Sequence, residues 1–191
     1  MNTPIHTDRE LVAATLQDRH AFAGLVEKYQ AALSRYISRI GAPDSESIQD
    51  ILQESFIKAY VNLNDYDPTL PFSSWMYRIV HNETISYFRK QKNRPAPVVH
   101  EEDLTIFEKI ADDFNVIEVI DADRRGQAVR LAIDSLDPLY KAVITLRFFE
   151  EKSYDEISDI LHMPSGTVAT YLSRGKVQLK EYIKKSNILE V

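Results

Sequence analysis

The sequence predicts an all-α protein: two small helical domains joined by an acidic linker, the C-terminal one a helix-turn-helix. Three observations predict it. Glycine is scarce, with 5 in 191 residues, and no stretch alternates apolar and polar residues with the period of two that a half-buried strand needs. Apolar residues recur instead at helical spacing, most regularly at Ile48, Ile51, Leu52, Ser55, Phe56, Ala59, Tyr60 and Leu63. Charge is also segregated along the chain, with two basic segments flanking an acidic one.

The N-terminal helical domain is expected over residues 8–95. Asp8 is a candidate cap for the first helix, which carries Leu11 and Ala14. Residues 20–40 place Phe22, Leu25, Val26, Tyr29, Leu33, Tyr36, Ile37 and Ile40 on one helical face, and Gly41-Ala42-Pro43-Asp44 breaks the pattern. The helix carrying Ile48 to Leu63 follows and ends at Asn64-Asp65-Tyr66-Asp67-Pro68. A further helix starts near Phe72, buries Trp75, Met76, Ile79 and Val80, and runs basic to Arg94, where Pro95 and Pro97 stop it. Trp75 sits in the apolar stripe and reads as core.

The connector, residues 96–126, is acidic yet holds Leu104, Ile106, Phe107, Ile110, Phe114 and Ile117, so it is expected to rest on a partner. Helices resume over 127–186. Ser153 with Glu156 three residues on is a capping box, in which hydroxyl and carboxylate reciprocally satisfy two orphan backbone N–H groups. His162-Met163 makes a turn, and Pro164 leads into a last helix. There Val168, Leu172, Gly175, Leu179 and Ile183 face inward, which leaves Thr167, Thr170, Tyr171, Arg174 and Lys176 largely outward. Small hydroxyl residues near its start would let this helix sink into a major groove, and Arg174 can fork onto guanine or grip a phosphate.

The formal net charge of −6 argues, taken alone, against a nucleic-acid partner. Its distribution argues otherwise. Residues 72–95 hold Arg78, Arg89, Lys90, Lys92 and Arg94 against one acid, Glu83, and residues 164–185 hold Arg174, Lys176, Lys180, Lys184 and Lys185 against Glu181. Arg78, Asn82, Ser86, Arg89 and Lys90 share a helix face on which amides and hydroxyls could read bases while cations hold the backbone. Tyr66, Tyr77, Tyr87 and Phe88 nearby could stack on unpaired bases. Asp50, Gln53 and Glu54 stand together opposite the apolar stripe of their helix, as a solvated face or an acidic docking surface. The chain has no cysteine, which removes disulfides and thiolate chemistry and fits a reducing cytoplasm. It shows no secretion signal, membrane span or glycine-rich phosphate loop, and its five histidines are scattered. Neither enzyme activity nor a metal or other cofactor is expected.

Three groups of motifs, in order, carry a family resemblance. The run Asp50-Ile51-Leu52-Gln53-Glu54-Ser55-Phe56-Ile57-Lys58-Ala59-Tyr60 resembles the core-binding helix of sigma factors. Phe72-Ser73-Ser74-Trp75-Met76-Tyr77-Arg78-Ile79-Val80-His81-Asn82 resembles the promoter-melting helix of the extracytoplasmic-function group. Leu136 to Val143, Tyr154 to Ile157 and Pro164 to Val168 resemble that group's C-terminal domain. The resemblance implies a transcription factor that binds RNA polymerase core and directs it to promoters. Asp50, Gln53 and Glu54 would contact the clamp of the largest subunit, and the helix of Leu146 and Phe148 would meet the flap tip. Asn82, with Arg78, Ser86, Arg89 and Lys90, would read the minus-ten element as unpaired strand, and the loop of Asn64 and Tyr66 would pocket a flipped-out base. Ser165, Thr167, Thr170, Tyr171, Ser173, Arg174 and Lys176 would face the minus-thirty-five duplex. An anti-sigma factor is the group's common regulator. Ala169 and Tyr171 stand where the family usually places basic residues, so a different or weaker minus-thirty-five preference is expected. The competing reading is a helix-turn-helix regulator that acts without polymerase core; it leaves the Asp50, Gln53, Glu54 cluster and the Trp75 helix without a role.

Overall fold

The computed structural model describes residues 7–41, 44–90 and 129–185, which are helical and turn structure with no strand among them. The acidic connector, with its apolar residues, lies outside the described residues, as do Lys92 and Arg94. The chain divides into two compact units, an N-terminal one carrying the first four helices and a C-terminal one carrying the rest.

In the N-terminal unit, α1 (Asp8–Gln17) opens on a capping box, but its cap is Thr7 and not Asp8. Thr7 Oγ1 accepts from the Glu10 N–H at 3.3 Å while Glu10 Oε2 accepts from the Thr7 N–H at 2.8 Å. The Thr7-x-x-Glu10 spacing carries the same signal as Ser153-x-x-Glu156. Asp8 is thereby released for tertiary work: one carboxylate oxygen accepts from Tyr29 Oη at 2.6 Å and the other lies 2.8 Å from Lys28 Nζ. Burial, with the Asp8 carboxylate beside it, pushes the Tyr29 phenol well above its ordinary range.

A short 3-10 turn, Arg19–Ala21, leads into α2 (Phe22–Arg39), which buries Leu25, Tyr29, Leu33, Tyr36 and Ile37. Leu33, Tyr36 and Ile37 are completely enclosed. Each such side chain contributes roughly 1.5–3 kcal/mol relative to exposure. Gly41 ends this segment at φ +125°, a backbone conformation that other residues reach only with strain. Asp44 then caps α3 (Ser45–Val61), accepting from the Ser47 N–H at 2.7 Å. α4 (Phe72–Lys90) starts where the Pro71 carbonyl accepts from the N–H groups of Ser74 and Trp75.

Helices α2, α3 and α4 pack on one another, and α1 packs on α2 and α4. Small hydroxyl residues are buried on α3 and α4, with Ser55 Oγ donating to the Ile51 carbonyl and Thr84 Oγ1 to the Val80 carbonyl, both at 2.7 Å. The hydroxyls are satisfied within their own helices and leave the helix surfaces smooth. Phe72 is interior, with the half-buried Tyr66 and Trp75 rings against it at centroid distances of 5.2 and 5.5 Å.

In the C-terminal unit, residues 129–134 are helical and bury Val129, Ala132 and Ile133. α5 (Pro138–Phe148) begins with proline at its first position, where no helical hydrogen bond is lost. It buries every residue from Lys141 to Leu146, with Lys141 Nζ 2.8 Å from Asp134 Oδ1. α6 (Tyr154–Leu161) carries the Ser153–Glu156 capping box and ends at His162, which is left-handed at φ +52°. α7 (Ser165–Lys185) buries Val168, Leu172, Gly175, Leu179 and Ile183, the five residues that periodicity turned inward, and packs on α5.

His81 gives the N-terminal unit a pH response. Burial pulls its pKa down to about 4, and Tyr36 Oη lies 2.9 Å from its Nδ1. In the unfolded chain the ring protonates near its ordinary value, so lowering the pH favours unfolding first. His81 therefore contributes full stability above pH ~6.5, lost progressively toward pH ~4, and the whole interval corresponds to about 3 kcal/mol. Urea unfolding at pH 7 and pH 4.5 is expected to show a smaller stability loss for His81→Gln than for the wild type; equal losses would contradict the assignment.

Candidate docking and nucleic-acid surfaces

α3 separates two chemistries by its helical period. Ile51 and Ser55 point into the interior, and Asp50, Gln53 and Glu54 are all exposed on the opposite face. Three residues that periodicity did not single out as surface continue that face one and two turns on. Ile57, Tyr60 and Val61 are 49%, 42% and 67% exposed. Tyr60 was assigned to the buried stripe; it lies at the margin, its ring 5.2 Å from that of Phe22 with its outer side open. The α3 surface is thus an acidic and amide patch that grades into an apolar one. That composition suits a protein partner better than a solvated face. Lys58 at its edge lies 3.9 Å from Glu54 Oε1 and 2.7 Å from Glu83 Oε1 on α4.

On α4, Asn82, Arg89 and Lys90 are exposed and Arg78 and Ser86 half-buried, a row at successive turns beside the buried Tyr77, Val80 and Thr84. The aromatic residues near this row are less available than the sequence suggests. Tyr77 is 4% exposed with its ring 5.2 Å from that of Tyr36, so it is interior and not a stacking platform. Tyr87 is half-buried and shares a 2.6 Å hydrogen bond with Ser47 Oγ. Tyr66 packs edge-on to Phe72 and donates its hydroxyl proton to the Leu70 carbonyl. That bond braces the loop in which Asn64 is exposed. Asp67 accepts from the Thr69 N–H at 2.9 Å and its hydroxyl at 2.7 Å, and these bonds hold its carboxyl below the usual range.

On α7, Thr170, Ser173 and Arg174 are exposed. Ser165 is half-buried and donates to Asp155 Oδ1 at 2.9 Å, tying the start of α7 to α6. Thr170 Oγ1 donates to the Gly166 carbonyl at 2.9 Å. Tyr171, expected outward, is half-buried with its ring 5.2 Å from Tyr140. It stands three residues after Val168 and so borders the buried stripe. Lys176 is half-buried with Nζ 5.5 Å from the Phe148 ring centroid, a cation–π distance. Leu146 requires a correction. It is 0% exposed, an interior residue with no surface to offer a partner, whereas Phe148 is half-buried. Among the described residues no group of three acids or histidines could hold a metal, and no helix is long and apolar enough to cross a membrane.

Comparison with known proteins places this architecture. Residues 25–94 match the family described as Sigma-70 region 2, and residues 126–179 match Sigma-70, region 4. The ECF RNA polymerase sigma factor SigW of Bacillus subtilis is 34% identical over 171 residues, covering 87% of this chain and 91% of that protein. The ECF RNA polymerase sigma-E factor of Haemophilus influenzae is 32% identical, covering 93% and 96%. Among solved structures, CnrH in complex with the cytosolic domain of CnrY shares the fold at a TM-score of 0.67 and 23% identity, covering 93% of this chain and 97% of that one. The sigma factor RpoE of Bartonella quintana, solved with the anti-sigma factor NepR, does so at 0.60 and 18%, covering 86% and 97%. The chain belongs to the sigma-70 family, in its extracytoplasmic-function group. A helix-turn-helix regulator independent of polymerase is not favoured, because region 2 accounts for the helices that such a reading leaves idle.

The interior position of Leu146 has a measurable consequence. Leu146→Ala is expected to lower stability by roughly 2–5 kcal/mol in urea unfolding, the range for truncating an enclosed leucine. A loss under ~0.5 kcal/mol would return the residue to the surface.

Proposed function

We propose that this chain binds RNA polymerase core through the exposed face of α3 and directs it to promoters, with α4 reading the minus-ten element as unpaired strand and α7 the minus-thirty-five element as duplex. The observation that carries this reading is the arrangement of the N-terminal unit. One exposed acidic and amide row, Asp50, Gln53 and Glu54, lies on α3, and a separate cationic and amide row centred on Asn82 lies on the adjoining α4. An acidic row repels DNA phosphates and attracts a basic protein surface; the cationic row does the reverse.

The division of labour follows. Residues 8–95 dock and melt, residues 96–126 link, and residues 127–186 carry the duplex reader. Asn82 can donate and accept on a base edge while Arg89 and Lys90 hold phosphates without sequence preference. Exposed Asn64 and the braced loop from Leu63 to Pro71 suit capture of an unstacked base, with the loop pre-ordered before the strand arrives. On α7, Arg174 is the strongest candidate for base-edge contact, with Thr170 and Ser173 beside it and Thr167 and Ser165 near the phosphates. Tyr171 and Lys176 would have to leave their ring contacts to reach DNA, which lowers their net contribution. Phe148 remains as the α5 residue for the flap. The polymerase supplies the chemistry, so this chain needs no catalytic group or cofactor. It would act in the cytoplasm, and an anti-sigma factor competing for the same surfaces is the expected form of control; the fold relative RpoE of Bartonella quintana was solved in complex with one.

Asp50→Ala combined with Glu54→Ala is expected to lower affinity for purified core polymerase at least tenfold with the circular dichroism spectrum unchanged. Wild-type retention of core by the double variant would sink the docking assignment. Run-off transcription on a genomic fragment library would supply a promoter. On it, Asn82→Ala is expected to reduce strand opening, read by permanganate reactivity of thymines, by about tenfold, the cost of one lost base contact, and to leave duplex retention close to wild type. Equal losses in both assays would remove Asn82 from reading unpaired DNA.

A further inference from the structure

α3 and α4 carry the two rows on which the proposed function rests, and their mutual position decides whether docked polymerase and unpaired strand meet in register. Their interior faces are largely apolar, with Ile51, Phe56 and Ala59 on α3 and Met76 and Val80 on α4. Apolar contact is non-directional and tolerates small sliding and rotation at little cost. Directional links therefore set the register. Among those that cross between these helices are the following two. Ser47 Oγ and Tyr87 Oη lie 2.6 Å apart at the start of α3, and Lys58 Nζ lies 2.7 Å from Glu83 Oε1, which is four residues, about one turn, before Tyr87 on α4.

The Lys58–Glu83 pair is unlike an ordinary surface ion pair. The Glu83 side chain is only 17% exposed, and 2.7 Å is the short end of a charge-assisted hydrogen bond. Breaking it leaves a carboxylate largely withdrawn from water without its cation. Its position is also informative. Lys58 stands one turn from Glu54 of the docking row, within 3.9 Å of that carboxylate, and Glu83 is the immediate neighbour of Asn82. A single lysine thus sits between a docking carboxylate and the residue adjoining the strand-reading amide.

We infer that Glu83, held by Lys58, is a positioning residue for promoter opening. It touches neither polymerase nor DNA; it fixes the rotation of α4 about its axis so that Asn82 and the row Arg78, Ser86 and Arg89 face the strand delivered to the docked protein. The inference rests on the proposed function and goes beyond it by naming a residue that resembles neither a docking nor a reading group. A bland alternative, that the pair only adds stability, predicts loss of opening in proportion to loss of folded protein.

The test uses full-length chain with purified core polymerase on a promoter fragment obtained by run-off transcription. Glu83→Gln keeps the shape and removes the charge. It is expected to lower permanganate reactivity of unpaired thymines by about three- to tenfold, the effect of one partly buried charged hydrogen bond, with core affinity and the folded fraction at the assay temperature near wild type. Lys58→Arg, which keeps the cation, should preserve opening. Lys58→Met together with Glu83→Gln should open no worse than the poorer single variant, since both remove one link. Opening by Glu83→Gln equal to wild type, or reduced only in step with core affinity or folded fraction, would overturn the inference. Failure of the wild-type chain to bind core at all would instead overturn the function on which it rests.

Discussion

A helix with two chemistries needs one face that can be given up to the interior, and α3 meets that need with the row Ile51, Ser55, Phe56 and Ala59. The enclosed row packs on α2 and α4 and so holds the N-terminal unit together. The exposed face of α3 is held outward because this row is anchored. The helical period then leaves about half the circumference, where Asp50, Gln53 and Glu54 stand, without a packing duty. The exposed rows of the N-terminal unit occupy what the core does not use. The same logic governs α7, where five enclosed residues leave Thr170, Ser173 and Arg174 outward.

The two units solve the problem of small size differently. The N-terminal unit supplements its apolar core with a network of buried or half-buried polar groups: Asp8 with Tyr29 and Lys28, Tyr36 with His81, Ser47 with Tyr87, Lys58 with Glu83. Each pair joins two helices, and each is directional, so the bundle gains definition that aliphatic packing alone does not confer. The C-terminal unit relies on α5, whose consecutive residues Lys141 to Leu146 are all enclosed, and on a capping box at the head of α6. A helix covered nearly all round acts as the post on which α7 is mounted.

What could be read from residues alone follows from which signals are local. Helical spacing in α7 and the Ser153–Glu156 box depend on residues within a few turns, and both appear in the structure as the residues dictate. Thr7 was as legible as Ser153, through Glu10 at the same offset, but Asp8 beside it is an equally good capping type and drew the assignment. Leu146 and Tyr77 could not be placed from sequence, because α5 is enclosed all round from Lys141 to Leu146 and α4 carries aromatics on both its faces; which aromatic or aliphatic residue remains at the surface is decided by neighbours distant in the chain. Tyr60 erred the other way, since its spacing matches the buried stripe while its depth depends on Phe22. The exposed rows at Asp50 and Asn82 are legible as faces from spacing alone, whereas spacing says nothing of what would meet them; the family match covers the region that carries both.

The turn between α6 and α7 holds a residue with a side chain, His162, in a left-handed conformation where glycine would sit without strain. A strained residue of this kind costs on the order of 1 kcal/mol. Because His162 is exposed and lies between the two helices, that cost falls on their junction and not on the exposed face of α7. The junction is therefore a place where thermal robustness of the C-terminal unit can be raised or lowered by one substitution, leaving the exposed face of α7 alone.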